Sequence, residues 1–349
     1  MSRPGRGAAT YAGAGVDLDE AARAVDLIRR AAAGSLGPEV MAGVGGFGSL
    51  VRLDPARWPD PVLVASTDGV GTKLLVAIAL DRYDTVGIDL VHHCLNDVAV
   101  QGADPLFFLD YLATGRLDAD RVATIVGGMA AACAEAGVPL VGGETAELPG
   151  LYQGDAFDLA GFCVGVVARS RVVDGARVQA GDLLLGLPSS GLHTNGYSLV
   201  RSLFPVEEWA SQPAGWDTSL GEALLVPHRL YLPDIRRLRG ALEAAGSDVL
   251  AMAHLTGGGW VDNIPRTLPA GLGVEIEWGS WTVPPLFELI AQRSGMDRHE
   301  LARTFNLGIG LTLVVRAEMA PIARRALPDA MIVGRVRSLA AGQPRVAFS

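Results

Sequence analysis

Hydrophobic positions in the first half of the chain alternate between short apolar runs and longer stretches with helical spacing. The short runs predict strands at 62–66, 106–111, 139–141 and 159–168. The stretches with helical spacing predict helices from Asp17 to Gly34, over 86–101 and over 118–136. Asp17 followed by Glu20 is typical of a capping box, which would fix the start of the first helix.

The second half of the chain repeats this alternation. Its apolar runs predict strands at 183–187, 249–254, 274–278, 307–315 and 331–336, with small-residue loops and helices between them. A polar stretch at 169–181 separates the two halves. We therefore predict a disordered tail at 1–10, an N-terminal domain at 11–170 and a C-terminal domain at 171–349.

The composition fits two closely packed domains of a cytoplasmic protein. Of 349 residues, 49% are hydrophobic, 44 are glycine and 6% are aromatic, which favours α/β or α+β structure with tight turns. A net charge of −9 without a basic stripe argues against nucleic acid as a partner. Cys94, Cys133 and Cys163 lack the spacing of a metal cluster or disulfide framework. We expect no secretory leader and no membrane helix.

The loop at 67–73 follows a predicted strand and is the first candidate for chemistry. Closely spaced Gly69 and Gly71 allow backbone N–H groups to approach an anion, and Lys73 adds a positive charge. Asp68 would repel a phosphate unless a divalent cation lay between them. The loop lacks the spacing of a P-loop. It is therefore either a metal–triphosphate site or an ordinary turn with exposed charges.

The predicted helix at 86–101 favours the metal site. Asp89, His93 and Asp97 follow one another at intervals of four and share a face, with Asn96 beside them. The other positions are mostly apolar, so these polar groups favour Mg²⁺ ligation over simple exposure to water. Glu144 and Glu147, in a predicted turn at 142–147, are further candidate ligands, although a solvated turn explains Glu147 equally well.

Two histidines in the second half are candidates for proton transfer. His193 lies in a loop rich in small residues, and His254 ends a predicted strand just before Thr256 and three glycines. Histidine suits proton transfer near neutral pH, and a glycine-rich loop that opens a helix suits a substrate phosphate. The sequence leaves open which histidine is catalytic. His92, His228 and His299 have no such context and are expected to be structural.

Seven strings in register resemble one known family, the aminoimidazole ribonucleotide synthetases, which are the phosphoribosylformylglycinamidine cyclo-ligases of purine biosynthesis. The resemblance runs from about Tyr11 to the C-terminus. The strings are GGFGSL (45–50), STDGVGTKL (66–74), GIDLVHHCLNDVAVQGADPLFFLDYLATG (87–115), LVGGETAELPG (140–150), GLHTNGYSLVR (191–201), AHLTGGGWVDNIPR (253–266) and TFNLGIG (304–310).

The resemblance implies an α+β chain of two domains whose N-terminal mixed sheets pair in a homodimer with a barrel-like core. It implies ring closure of formylglycinamidine ribonucleotide with ATP and Mg²⁺, through an iminophosphate intermediate. The implied metal ligands are Asp68, Asp97 and Glu144, and the implied catalytic groups are Lys73 and either His254 or His193. The implied nucleotide-binding residues are Gly45, Gly46, Gly48, Asp68, Gly69, Gly71, Thr72, Lys73, Asn96, Asp97, Gly143 and Glu144. The implied substrate-binding residues are Ser190, Gly191, His193, Asn195, Thr256, Gly257 and Gly258.

Departures from the family pattern are few. Ala12 stands where relatives often carry a lysine, which would lower affinity for ATP if that lysine covers the nucleotide. Ala42 stands where relatives often carry glycine, and His92 and His93 replace smaller or apolar residues.

Selenophosphate synthetase needs a reactive cysteine or selenocysteine near its N-terminus, whereas the first cysteine here is Cys94. The hydrogenase-maturation relative ends in a cysteine, whereas this chain ends in Ser349. Thiamine-monophosphate kinase shares the nucleotide site but lacks the combination of the HTNGYSL and HLTGGG strings. A related kinase or synthetase, or a non-catalytic nucleotide-binding relative, is the alternative.

Overall fold

The computed structural model describes residues 16–349, so the tail predicted at 1–10 and the position of Ala12 lie outside the described residues. The elements of the first half are α1 (Leu18–Ala33), β1 (Val40–Ala42), β2 (Leu50–Val51), β3 (Pro61–Gly69), α2 (Leu74–Leu80), α3 (Val86–Ala99), β4 (Asp104–Thr114), α4 (Ala119–Ala136), β5 (Leu140–Glu147) and β6 (Phe157–Ala168). Those of the second half are β7 (Leu183–Pro188), α5 (Tyr197–Leu203), α6 (Leu220–Leu225), α7 (Leu232–Ala244), β8 (Ala251–His254), α8 (Gly259–Asn263), β9 (Leu272–Ile276), α9 (Pro285–Ser294), α10 (Arg298–Thr304), β10 (Ile309–Val315), α11 (Ala320–Ala326), β11 (Met331–Ser338) and β12 (Val346–Phe348).

The first half is built on a four-stranded mixed sheet in the order β3-β6-β4-β5. The β3–β6 and β6–β4 pairs are antiparallel, whereas β4 and β5 run parallel. Alternate residues of each strand point to opposite faces, so Phe108 and Cys163 are buried on the side of α3 while Leu63, Tyr111 and Phe162 are exposed on the other. We call this second side the open face.

Close contact between α3 and the sheet depends on a glycine of β6. A Cβ on Gly161 would lie 2.6 Å from Cζ of Phe108 and 3.0 Å from Sγ of Cys94 on α3. The helix therefore rests directly on the strand, and most of its side chains are buried, including the polar Asp89, His93 and Asn96. This packing fixes the position of the polar residues of α3 against the rest of the chain.

The second half forms a six-stranded sheet in the order β12-β9-β11-β7-β10-β8, in which only the β12–β9 pair is parallel. Buried leucines such as Leu185 and Leu313 fill its centre, and Trp260 and Phe287 lie in the same core. The α+β class is confirmed. The boundary predicted at 170/171 lies between the last strand of the first sheet and the first strand of the second, and it stays a prediction.

Most predicted strands and helices are confirmed with small changes at their ends, but three local predictions are wrong. The turn predicted at 142–147 belongs to β5, and β3 continues through Gly69. The capping box is also absent. The Asp17 side chain accepts the N–H groups of Asp19 and Glu20, but Glu20 accepts the N–H of Ala119 at the start of α4. Within residues 16–349, no helix has both the length and the apolar character needed to cross a membrane.

Candidate active site

Two carboxylates predicted as metal ligands converge on one histidine. Asp68, near the end of β3, and Asp97, on α3, lie 2.9 Å and 3.9 Å from Nε2 of His93 through their Oδ2 atoms. Their side chains are 41% and 30% exposed, so this is the side of the site that opens to solvent. Burial alone would raise both carboxyl pKa values, but the neighbouring imidazoles of His93 and His254 hold them below the usual value.

Four buried histidines lie beside these carboxylates. We call His93, His193, His228 and His254 the histidine cluster. Nδ1 of His254 is 2.7 Å from Oδ1 of Asp97, and its Nε2 is 2.8 Å from Nε2 of His228. The ring of His193 stacks on that of His228 with 3.8 Å between centroids, and Nδ1 of His93 contacts the hydroxyl of Thr194 at 2.9 Å.

The members of the histidine cluster differ in charge. Burial lowers the pKa of His254 despite the Asp97 carboxylate, and it lowers the pKa values of His193 and His228 strongly. For His93, burial also acts to lower the pKa, but the hydrogen bond and charge of Asp68 outweigh it and raise the pKa. The cluster therefore combines three neutral imidazoles with one that favours the protonated form.

Residues 226–231, between α6 and α7, cross over α3, and we call them the clamp segment. Lys73 donates to the carbonyl of Val226 at 2.8 Å, and Asp89 accepts the N–H of His228 at 2.8 Å. Asn96 uses both ends of its amide, donating to the carbonyl of Arg229 and accepting the N–H of Tyr231, each at 2.8 Å. These bonds attach the second half of the chain to the first.

The clamp segment changes the interpretation of two predicted nucleotide-binding residues. Lys73 is fully buried and pairs with Asp89, with 2.8 Å between Nζ and Oδ2, so it does not face open space where a phosphate could lie. Both polar atoms of Asn96 are occupied by backbone groups. In this structure both residues join the two halves of the chain. A buried polar group needs a hydrogen-bond partner, and the polar groups of both residues already have protein partners, so they are not free to bind a ligand.

The rest of the predicted loop lies around the start of a 3-10 turn over Gly71–Lys73. The N–H of Gly69 donates to Oδ1 of Asp68 at 2.8 Å, and Gly71 has a positive φ of 66°. The Thr72 hydroxyl is 3.1 Å from that of Ser198 on α5. This part of the loop is therefore a second point of contact between the two halves.

Glu144 does not join Asp68 and Asp97 within this chain. In the sheet register, Glu144 pairs with Tyr111 on the open face, whereas Asp68 pairs with Gly161 beneath α3. Two strands separate β3 from β5. Within one chain the three carboxylates therefore do not surround one point, because adjacent positions on a strand point to opposite faces. The assignment of Glu144 as a metal ligand stays a prediction.

The predicted glycine loop accompanies Glu144 instead. A cavity of about 980 Å³ is lined by Gly45, Gly46, Gly48, Gly143 and Glu144, together with apolar residues of the open face. Glu147, the weaker candidate, has a structural role: it accepts the N–H of Asp17 at 2.9 Å and the N–H of Leu117 at 2.7 Å. Its carboxylate thus joins the starts of α1 and α4.

The predicted substrate loops lie on the other side of the histidine cluster. Ser190 and Gly191 line a cavity of about 430 Å³, and the Ser190 N–H donates to Nε2 of His193 at 3.3 Å. His193 has a φ of 62°, which is uncommon for a residue other than glycine, and strained backbone conformations of this kind cluster at functional sites.

The loop after β8 is held close to the same region. Asn263 donates to the carbonyls of Thr256 and Gly257, at 3.3 Å and 3.2 Å, and Gly258 begins α8 with a φ of 89°. A Cβ on Gly257 would lie 3.2 Å from Oδ1 of Asn195, so the two predicted substrate loops touch.

Sequence reasoning missed His228, and it placed His93 on the face of Asp89 and Asp97 without giving it a role of its own. His228 was expected to be structural, yet its Nε2 lies 2.8 Å from that of His254. No local spacing reveals this contact, because it depends on how the clamp segment crosses α3. The sequence places His93 on the same helix face as Asp97, but its contact with Asp68 depends on how α3 packs against β3.

Two α+β halves joined at a centre of carboxylates and histidines are typical of a two-domain enzyme, with the candidate site where the halves meet. The domain models of AIR synthase related proteins match this chain, the N-terminal one at residues 51–167 and the C-terminal one at 179–344. The chain belongs to the AIR synthase related family. The resemblance found in the sequence is thereby confirmed.

The chain is similar to two curated phosphoribosylformylglycinamidine cyclo-ligases. That of Gloeobacter violaceus is 52% identical over 312 residues, which cover 89% of this chain and 91% of the relative. That of Desulfitobacterium hafniense is 50% identical over 309 residues, which cover 88% and 90%. A crystal structure of the hydrogenase maturation protein HypE in complex with ATP has a TM-score of 0.61, with 20% identity and coverage of 90% of this chain and 88% of that one. At that identity the likeness concerns the fold alone.

Proposed function

We propose that this chain closes the imidazole ring of formylglycinamidine ribonucleotide with ATP, giving 5-aminoimidazole ribonucleotide, ADP and phosphate. Relatives with about half of their residues identical, over nine-tenths of both chains, carry the name of this activity. The observation that carries the proposal is the position of Asp97. One carboxylate oxygen orients His254, and the other faces the same point as Asp68.

The reaction needs two kinds of assistance from the protein. A formamide oxygen is a poor leaving group, so transfer of the γ-phosphoryl group of ATP converts it to an iminophosphate and releases ADP. The amidine nitrogen then attacks the same carbon, phosphate leaves, and a proton is lost from the new ring. The chain must therefore stabilise negative charge during the first step and accept a proton during the second.

Asp68 and Asp97 fit a site for Mg²⁺. Carboxylate oxygens are the ligands that this ion prefers, and both groups are partly exposed and aimed at one point. The ion, when bound, would neutralise charge on the transferring phosphoryl group. His93 lies between the carboxylates, where its favoured positive charge offsets their repulsion.

His254 is the proposed proton acceptor. Asp97 holds its Nδ1, which leaves Nε2 with a lone pair, and its lowered pKa keeps it neutral near pH 7. His193 lacks a carboxylate partner, and its Nε2 faces the N–H of Ser190. The proposed role of His193 is therefore to shape the loop of Ser190 and Gly191 around the substrate.

The open face is the proposed contact with a second copy of the chain. It exposes Leu63, Tyr111 and Phe162, an apolar surface that a homodimer would cover. The glycine loop and Glu144 border this face, so the proposed nucleotide site would lie next to the interface. The proposed compartment is the cytoplasm, since the three cysteines are buried as free thiols.

The proposal is tested by incubating purified chain with ATP, Mg²⁺ and formylglycinamidine ribonucleotide. ADP and the aminoimidazole product are expected in equal amounts, and both must depend on the ribonucleotide. ATP hydrolysis that is independent of the ribonucleotide, with no imidazole product, would contradict the proposed function.

Asp68→Asn is expected to lower turnover far more than Glu147→Gln. The first change weakens a proposed Mg²⁺ ligand, and the second keeps an oxygen that can still accept the N–H of Asp17 or Leu117. Steady-state rates measured over a range of Mg²⁺ concentrations should show a raised Mg²⁺ requirement for Asp68→Asn only. Equal small losses in both variants would mean that the metal lies elsewhere.

A further inference from the structure

Three histidines from separate segments of the second half meet at one point. His193 follows β7, His228 belongs to the clamp segment and His254 ends β8. One ring nitrogen from each lies within 4.8 Å of the other two. All three residues are at least 95% buried, so the point is shielded from bulk water.

The geometry of His228 and His254 is close to that of two ligands of one cation. Their Nε2 atoms are 2.8 Å apart. Around zinc, with metal–nitrogen distances of about 2.0–2.1 Å in a tetrahedron, two ring nitrogens lie about 3.3 Å apart. A separation of the rings by about half an ångström would make room for the ion. The contact of Asp97 with Nδ1 of His254 is the carboxylate–histidine arrangement that orients a ligand towards zinc.

Packing alone does not account for this grouping of imidazoles. Nδ1 of His193 and Nδ1 of His228 are buried without a hydrogen-bond partner in the part of the chain that the structure describes. In His193 this atom is the free donor for an ion, since Nε2 faces the N–H of Ser190, whereas His228 would use Nε2. Buried polar atoms are normally paired, because each unsatisfied group costs about 1–3 kcal/mol. Burial also holds the pKa values of both residues well below the usual value, which favours the neutral, metal-binding form.

We propose that His193, His228 and His254 bind one transition-metal cation of the zinc class. Imidazole nitrogen suits Zn²⁺, Ni²⁺ or Co²⁺, whereas Mg²⁺ prefers oxygen, so this site differs in chemistry from the one proposed at Asp68 and Asp97. Asp97 contacts both sites, through Oδ1 on the histidine side and Oδ2 on the carboxylate side. Three histidines also leave a coordination position open for water or another ligand.

Occupation of this site has a consequence that rests on the proposed function. A cation on Nε2 of His254 takes the lone pair that would otherwise accept the ring proton. Micromolar Zn²⁺ therefore inhibits ring closure in the presence of millimolar Mg²⁺. Inhibition of this kind would link the enzyme's rate to the supply of free zinc.

The site is tested by metal binding to the full chain, without substrate. Zn²⁺ added to apo-protein is expected to bind at one ion per chain, as measured by competition with a chromophoric chelator. Co²⁺ is expected to give the intense visible bands of a four-coordinate site. His228→Asn and His254→Asn should each weaken Zn²⁺ binding at least 100-fold, and Asp97→Asn by about 10–100-fold through loss of orientation. His299→Asn is the control, because this histidine lies outside the cluster.

Thermal unfolding separates loss of the site from loss of the fold. Each variant is first shown to unfold cooperatively without metal. Zn²⁺ should then raise the unfolding temperature of the wild type and of His299→Asn but not of His228→Asn, since only a protein that binds the ion is stabilised by it. Failure of the wild type to bind Zn²⁺ below about 10 μM would overturn the proposal. Binding that survives His228→Asn but is lost in Asp68→Asn would also overturn it.

The activity assay distinguishes the two proposals from each other. Zn²⁺ binding by a chain with no cyclo-ligase activity would leave the metal site standing and refute the proposed function. Cyclo-ligase activity in a chain that binds no Zn²⁺ would support the proposed function and refute the metal site.

Discussion

Lys73 and Asp89 form an ion pair in which both side chains are fully buried. Burial lowers the pKa of Lys73 and raises that of Asp89, while each charge opposes the shift of the other. Such a pair is stable only when each charge keeps its partner and its hydrogen bonds. The two residues find those bonds in the backbone of the clamp segment, at Val226 and His228.

Lys73→Met is expected to destabilise the folded chain by about 3–5 kcal/mol, because it leaves the Asp89 carboxylate buried without its cation. Lys73→Met combined with Asp89→Asn should lose less, since asparagine can still accept the N–H of His228 without a charge. Denaturant unfolding of both single variants and the double variant measures this coupling. A phosphate-binding lysine would behave differently, with a higher KM for ATP and little change in stability.

Asp110 on β4 gives the stability of the chain a dependence on pH. Burial raises its pKa from 3.8 to about 7, and its carboxyl group lies beneath Gly143, where an added Cβ would be 2.2 Å from Oδ1. Between pH 3.8 and about pH 7, Asp110 holds a proton in the folded chain that it has lost in the unfolded chain. Stability from this group is therefore present at low pH and is lost as pH rises towards 7.

Asp110→Asn is expected to stabilise the chain at pH 8, on the order of 3 kcal/mol, and to have little effect near pH 4. The amide matches the neutral acid in shape and does not ionise. Unfolding curves at several pH values test this, with Asp329→Asn as an exposed control that should show no such trend. A constant difference between variant and wild type at all pH values would refute the assignment.

At the scale of elements, the sequence predicts most strands and helices because their apolar periods are clear. It also predicts that Asp68, Asp97, His193 and His254 carry polar chemistry. The convergence of Asp68 with Asp97 is found in the structure, but the place of Glu144 is not predicted. The reason is that residues 142–147 extend β5 by several residues, and the side to which each residue points depends on that register.

Gly161→Ala is expected to destabilise the chain by about 1–3 kcal/mol and to lower turnover. Its Cβ would push α3 away from β6, and Asp97 and His93 would move with the helix. Gly127→Ala on α4 is the control, because nothing lies within 4 Å of the added Cβ and alanine favours a helix. The unfolding midpoint and the turnover rate should both fall in Gly161→Ala. In Gly127→Ala the midpoint should stay the same or rise, and the turnover rate should change little.

At the scale of the whole molecule, the open face is an apolar sheet surface that residues 16–349 leave exposed. Leu63 on β3 is 62% exposed, and Phe162 and Tyr111 are each 39% exposed. From the sequence, an interface at this surface is predicted only through the family resemblance. The alternation of apolar and polar residues in its strands would be the same in a sheet that faces solvent. The dimer itself stays a proposal.

Phe162→Asp is expected to turn the proposed dimer into monomers, because a carboxylate at the centre of the face would be buried without a partner. Sedimentation velocity at several protein concentrations measures the change. Leu151→Asp replaces an equally apolar residue, 71% exposed and outside the sheet, and should leave the assembly unchanged. A wild-type chain that sediments as a monomer at all concentrations would refute the dimer.

The clamp segment also governs the order in which the chain can fold during synthesis. The N–H of His228 and the carboxylate of Asp89 that accepts it are separated by 139 residues in sequence. A ribosome therefore completes the first sheet and α3 long before the groups that satisfy Lys73, Asp89 and Asn96 exist. Until residues 226–231 emerge, Lys73 and Asp89 have only each other and water as partners, Asn96 has water alone, and α3 cannot close fully. The first domain thus reaches its final packing only after the first part of the second domain, through residue 231, has been translated.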